Sequence, residues 1–263
     1  MAKIAIKTAI KTAITASDSL WQAIHGEAER AAAADPVFGK AVADAVLAHD
    51  DFAAALADLI GRRLGSGAAE RARFTSFSRD AFHAESSLIE AAGRDLQAIA
   101  VHDPAIADLL PPLLHFKGYV ALQAWRVSNW LWRRNRRDAA LLFQNEASNL
   151  LQVSIHPAAH IGSSVYLDHA TGIVIGANVV IGDGVTILQN VSIGRRGELP
   201  ARSPRIGRNV FIGSGATILG DISIGDFAKI GADTVVTSDI PAGCTAVGNP
   251  ARLTNCPEPA AEV

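Results

Sequence analysis

One short segment of this sequence combines residue types that can move a proton: Asp168-His169-Ala170-Thr171-Gly172. An imidazole titrates near neutrality, so it can take a proton from a hydroxyl or amine acceptor and return it to a leaving group. Asp168 adds a carboxylate, and the small residues that follow permit close approach of a ligand. A lone histidine is usually structural; His169 stands out because it falls where a regular pattern breaks. His156 and His160 share the same half of the chain but lie inside the pattern, and are expected on its exterior. No pair of histidines has metal-ligand spacing, and Cys244 and Cys256 are too distant in sequence to suggest zinc, so no metal is expected.

The pattern is a six-residue repeat. Aliphatic residues recur at Ile155, Ile161 and Leu167, resume at Ile175, Ile181, Ile187 and Ile193, and resume again at Ile206, Ile212, Ile218, Ile224, Ile230 and Val236. Glycine follows at 162, 176, 182, 194, 207, 213, 225 and 231. No amphipathic helix holds that register, whereas in a parallel β-helix each hexapeptide supplies one short strand and one turn of a triangular coil. The aliphatic side chain is expected to point inward, and the small residue after it to let the chain turn the corner. The spacing lengthens to eight between Leu167 and Ile175, and to thirteen between Ile193 and Ile206, which leaves an extruded loop around Arg195–Arg205. Irregular loops on a rigid scaffold are where binding and catalysis concentrate. The glycines follow the repeat and match no phosphate-loop or dinucleotide spacing. Their peptide groups can instead line a groove for a long, thin ligand with an amide arm.

Before about residue 150 the chain is rich in Ala, Leu, Arg and Glu, with apolar residues three and four apart. Helices are predicted from Leu20, capped by Ser17 or Ser19, and over 36–49, 51–64, 68–78, 80–101, 104–110 and 117–135, with Pro111-Pro112 as a break ahead of the last. Val120, Trp125, Trp130 and Leu131 are expected in the core, and Arg133, Arg134, Arg136 and Arg137 at a helix C-terminus, where cations are favoured. Residues 1–16 read as a flexible extension and 253–263 as a short tail.

The chain has 263 residues, 49% of them hydrophobic, with 24 Lys+Arg against 26 Asp+Glu and a formal charge of −2. That balance offers no general pull toward nucleic acid or anionic lipid. No run approaches the roughly 18 apolar residues of a membrane-spanning helix. Two cysteines rule out a disulfide scaffold and favour a reducing, cytoplasmic setting.

Taken together, the sequence resembles the bacterial serine O-acetyltransferases among the hexapeptide-repeat acyltransferases. The resemblance rests on Ala98–Ala105 around His102-Asp103-Pro104-Ala105 and on Phe116-Lys117-Gly118-Tyr119 with Ala121-Leu122-Gln123-Ala124-Trp125-Arg126. It continues through Ile155-His156-Pro157-Ala158-Ala159, Leu167-Asp168-His169-Ala170-Thr171-Gly172-Ile173 and Asn249-Pro250-Ala251-Arg252. It implies an α+β fold: an all-helical domain over 17–150, serving oligomerisation and the acceptor site, followed by a left-handed parallel β-helix over 151–252. Trimers paired into hexamers are implied, as are acetyl-CoA as co-substrate with no bound cofactor and L-serine as acceptor in the first step of cysteine biosynthesis. By the same resemblance His169 is the general base, Asp103 and Asp168 hold the acceptor's amino group, and Arg202, beside Ser203, meets its carboxylate. Backbone near Gly194, Ser214, Gly215 and Ala232 would hold the CoA arm.

Two positions depart from the family pattern. Ser154 stands where an aspartate precedes Ile-His-Pro; it can accept a hydrogen bond from the ring but cannot stabilise an imidazolium by charge. Ser203 stands where a histidine follows the arginine, and loop 195–201 lacks the family's glycine-rich run. Two other readings therefore stay open: acetyl transfer to another small amino or hydroxy acid, and a weakly active homologue serving as an assembly partner. Family members that dock into cysteine synthase use a C-terminus ending in isoleucine; this sequence ends Glu262-Val263.

Overall fold

The computed structural model describes residues 17–197 and 202–257. The extension 1–16, loop residues 198–201 and the last six residues of the tail lie outside the described residues. The chain packs as two compact units that divide between Gln123 and Ala124.

The first unit holds α1 (Ser17–Ala34), α2 (Pro36–Val42) with a π-helical turn at Ala43–Leu47, α3 (Phe52–Leu64), α4 (Ala68–Ala84), α5 (Ser87–His102) and α6 (Leu110–His115). It ends within α7 (Lys117–Arg133). Asp35 and Asp51 cap α2 and α3, each carboxylate accepting from amides of the first turn. The helix predicted over 68–78 runs on to Ala84. Residues 104–109 are not helical; Asp103 closes a turn there, its Oδ1 accepting from Ala105 N at 2.8 Å. Pro111 and Pro112 open α6 where they were expected to break the chain, because a first-turn residue has no intrahelical use for an N–H. Leu56, Ile60, Leu96, Ile99 and Val120 form the core.

The second unit continues with the remainder of α7, then α8 (Arg137–Glu146) and a π-helical turn at Ala147–Leu151, none of which after residue 135 was anticipated. Trp125, Trp130 and Leu131 are buried as expected. Of the arginine cluster only Arg133 lies in the last turn of α7, while Arg136 and Arg137 open α8; the Arg134 guanidinium lies 4.2 Å from the Trp130 centroid and that of Arg137 3.7 Å from Trp132.

A parallel β-helix follows. One face stacks β1 (Val153–Ile155), β4 (Ile173–Ile175), β7 (Ser192–Gly194), β10 (Thr217–Leu219) and β13 (Val235–Val236). The second stacks β2 (His160–Ile161), β5 (Val180–Ile181), β8 (Arg205–Ile206) and β11 (Ser223–Ile224). The third stacks β3 (Tyr166–Leu167), β6 (Thr186–Ile187), β9 (Phe211–Ile212), β12 (Lys229–Ile230), β14 (Thr245–Val247) and β15 (Arg252–Thr254). The repeat aliphatics fill the prism; Ile187, Ile212, Ile218 and Ile230 have no exposed surface.

The glycines after those aliphatics have a different purpose from the one expected. The left-handed backbone of the corners falls two residues later, at Ser164, Asn178, Asn209, Phe227 and Asp233 among others. The glycine itself faces the next coil: a Cβ at Gly213 would lie 2.7 Å from Ala232 N, and one at Gly225 2.3 Å from Ala242 N. Close stacking of coils, and not freedom to turn, selects glycine at these positions other than Gly176 and Gly194.

The cysteines also differ from expectation. Cys244 and Cys256 form a disulfide. The reason is tertiary: β15 turns back antiparallel on β14, pairing Thr245 with Thr254, and this carries Cys256 over Cys244. Because the two cysteines pair with each other, their number alone says nothing about a reducing setting.

Candidate active site

The break at 167–175 inserts two residues into a corner. Corners of regular coils place three residues between the strand aliphatic and the inward residue that opens the next face, as Gly162-Ser163-Ser164 do between Ile161 and Val165. Here five residues separate Leu167 from Ile173. His169 and Ala170 take up the excess in left-handed conformation, with φ of 56° and 59°. Such backbone is costly for a residue with a Cβ, by about 1–3 kcal/mol each, and persists only where the surroundings dictate it. They do so here. Thr171 N donates to His169 O at 2.8 Å, Gly172 N to Gln152 O at 2.8 Å, and Asn190 N on the next coil to Thr171 O at 2.7 Å. Ala170 is buried, while His169 projects outward with its side chain 72% exposed. Its Nε2 lies 3.7 Å from Asp168 Oδ1, which also accepts a 2.8 Å hydrogen bond from the Tyr166 hydroxyl. An exposed base with an adjacent carboxylate, held on a rigid corner, suits abstraction of a proton from a hydroxyl nucleophile.

Hydrogen bonds between coils extend this corner into a column. Gly215 N donates to Gln189 O at 3.0 Å and Asp233 N to Ser214 O at 2.8 Å, so Ser214, Gly215 and the exposed Ala232 stack in the column that carries His169. Gln189 stands in it too, its Oε1 buried with no hydrogen-bond partner among the described residues. Periodicity gave no reason to single that residue out. Gly194, Arg202 and Ser203 belong to a different corner, at the opposite end of the face formed by β4 and β7. Gly194 borders open space, with nothing within 4 Å of a Cβ built on it. Arg202 is exposed, whereas Ser203 is buried and its hydroxyl donates to Ala177 O at 2.7 Å. Ser154 sits on the same face between the two corners, half-buried, pairing with Val174 in register and accepting from Gln144 Nε2 at 3.2 Å. Asp103, in the other unit, caps the end of α5.

His160 is exposed, as expected, but His156 is half-buried against Trp132, with ring centroids 5.2 Å apart. Burial pushes its pKa down, and the nearby Arg195 charge pushes the same way. Its Nδ1 accepts from Ala158 N at 3.0 Å, a bond that requires the neutral ring. Because its folded pKa is depressed, the stability it confers is complete above the ordinary histidine value of about 6.5 and is lost as pH falls below it. Chemical denaturation between pH 7 and 5.5 should therefore show falling stability, with a shallower slope in His156→Gln.

Among the described residues no three His, Cys, Asp or Glu side chains gather as a metal site, and no helix is long and apolar enough to cross a membrane. Residues 20–124 match the family model for the N-terminal part of serine acetyltransferase. Residues 158–189 match the hexapeptide repeat of succinyl-transferase and 203–238 the six-repeat bacterial transferase hexapeptide. The serine acetyltransferase of Salmonella typhimurium is 41% identical over 239 residues, covering 90% of this chain and 88% of that protein. The chain belongs to the serine acetyltransferase family. Among solved serine acetyltransferases, the soybean protein complexed with serine superposes with a TM-score of 0.86 at 42% identity, covering 89% of this chain and 97% of that one. One complexed with CoA superposes with a TM-score of 0.87 at 38% identity, covering 91% and 100%. The coil is thus the left-handed β-helix of serine acetyltransferases, and the chain is an acyltransferase.

Proposed function

We propose that this chain is a serine O-acetyltransferase that moves the acetyl group of acetyl-CoA onto the L-serine hydroxyl. The observation that carries the reading is the two-residue insertion that turns His169 outward beside Asp168. In the proposed reaction the His169 imidazole takes the hydroxyl proton as the oxygen attacks the thioester carbonyl. The tetrahedral oxyanion collapses, the C–S bond breaks, and the CoA thiolate leaves with the proton held on the ring. Asp168 binds the ammonium of serine, and Arg202 its carboxylate, the ion pairs that suit each group, while Asp103 keeps the acceptor role that the family resemblance implies for it. Ser203 fixes the chain beside Arg202 through its bond to Ala177, and Ser154, whose hydroxyl accepts from Gln144 Nε2, stands where the family's ring-orienting carboxylate would be. The CoA arm runs along backbone at Gly194, Ser214, Gly215 and Ala232.

Exposed Val174, Val180, Phe211, Phe227 and Val247 on the outer faces of the prism support a trimer, two of which would pair as a hexamer. A cytoplasmic setting in cysteine biosynthesis follows from the donor, a highly charged thioester that does not cross membranes unaided. Docking to a cysteine synthase would run through the tail from residue 253.

The test is CoA release from acetyl-CoA across a panel of small amino and hydroxy acids. A clear preference for L-serine is expected. An equal or better rate with another member would replace serine as the acceptor, and no release with any would favour the inactive assembly partner.

A further inference from the structure

In each coil the residue just before the inward aliphatic faces outward. Among the described residues, every such position of the parallel coils from Ser154 to Val235 is exposed or half-exposed except one: Tyr166, which is 4% exposed. A buried phenol is held in place by its ring and must find a partner for its hydroxyl. Tyr166 finds Asp168, two residues on, at 2.8 Å from Oδ1. That same oxygen is the one 3.7 Å from His169 Nε2. Oδ2 has no hydrogen-bond partner among the described residues. Rotating the carboxylate away would break this 2.8 Å bond and would separate the negative charge from the imidazole, so the hydroxyl favours a single side-chain orientation of Asp168.

We propose that Tyr166 is a positioning residue of the acceptor site: its hydroxyl locks the Asp168 carboxylate so that Oδ1 faces His169 and Oδ2 is presented to the acceptor's ammonium. This rests on the serine O-acetyltransferase reading above and names a residue which that reading does not use. The hydroxyl acts through Asp168 and does not touch the acceptor.

Tyr166→Phe keeps the ring and its burial and deletes only the hydroxyl. With L-serine and acetyl-CoA, the KM for serine should rise about tenfold, in keeping with a hydrogen bond to a charged group. The KM for acetyl-CoA should change less than about twofold, because the donor does not depend on how the ammonium is held. A double-mutant cycle separates positioning from plain structural support. Serine affinity is measured by calorimetry in the parent, Tyr166→Phe, Asp168→Asn and the double variant. Once Asp168 is Asn, removing the Tyr166 hydroxyl should cost less than about twofold more. A structural role would instead carry its full cost into both backgrounds and into both KM values, and would lower the melting temperature. An unchanged serine KM in Tyr166→Phe, or an equal loss in the Asn background, overturns the proposal while leaving the function intact. Failure of the parent itself to bind or acetylate serine overturns both.

Discussion

Replacing His169 with asparagine is expected to lower kcat/KM for acetyl transfer to serine by about 10²–10⁴-fold, the usual contribution of a positioned general base. Asparagine is the informative substitute. The residue sits at a φ of 56°, where a Cβ is poorly tolerated but Asn is several-fold enriched. An alanine there would mix loss of the base with rearrangement of the corner. The side chain is exposed and lies outside the prism core, so the melting temperature should hold within a degree or two while turnover collapses. Initial rates of CoA release at subsaturating serine, paired with a thermal melt, read both quantities. Full activity in a well-folded His169→Asn protein would remove the base from the mechanism.

The second large effect is on the scaffold. Gly225→Ala should destabilise the protein by about 3 kcal/mol, at the upper end of ordinary overpacking. The added Cβ would lie 2.3 Å from Ala242 N and 2.6 Å from Ala242 Cα. Both are backbone atoms of the stacked coil, so no side chain can swing aside to make room. The coils would have to part, and with them the bond from Gly225 N to Ile240 O at 2.8 Å. Gly194→Ala provides the contrast. It occupies the same place in the repeat but borders open space, and should leave stability within about 0.5 kcal/mol. Its cost should fall on the KM for acetyl-CoA if that space receives the CoA arm. Urea titration of the two variants side by side gives the comparison; equal stability would mean that coil spacing is not what selects glycine.

The inward column of aliphatics and the existence of a corner at 168–172 were legible because a solenoid writes its geometry into a fixed sequence period. Each coil meets only its neighbours, so local pattern and tertiary contact coincide. The place of His169 outside the coil was legible for the same reason: an insertion into a closed prism has nowhere to go but out. Residues 137–151 form a helix and a π-helical turn whose buried Ala140, Phe143, Ala147 and Leu151 fall three and four apart, a helical period that was legible although unanticipated. Other features were not. The glycine after each aliphatic looked like a turning device because its neighbour in space, the next coil, is absent from a local reading.

What sequence alone determined, then, is what repeats or interrupts a repeat: the β-helix, its register, and an imidazole placed at its first break. The tertiary structure decided which distant atoms meet. Ser203 turns into a bond with Ala177 while Arg202 stays exposed, and Cys256 returns to Cys244 on an antiparallel strand. Tyr166 alone among the outward positions of the described parallel coils is buried, reaching Asp168. The physical reason is that a side chain's partner is fixed by the direction of its Cβ and by what covers it. Spacing along the chain encodes the first in a regular coil, and never the second.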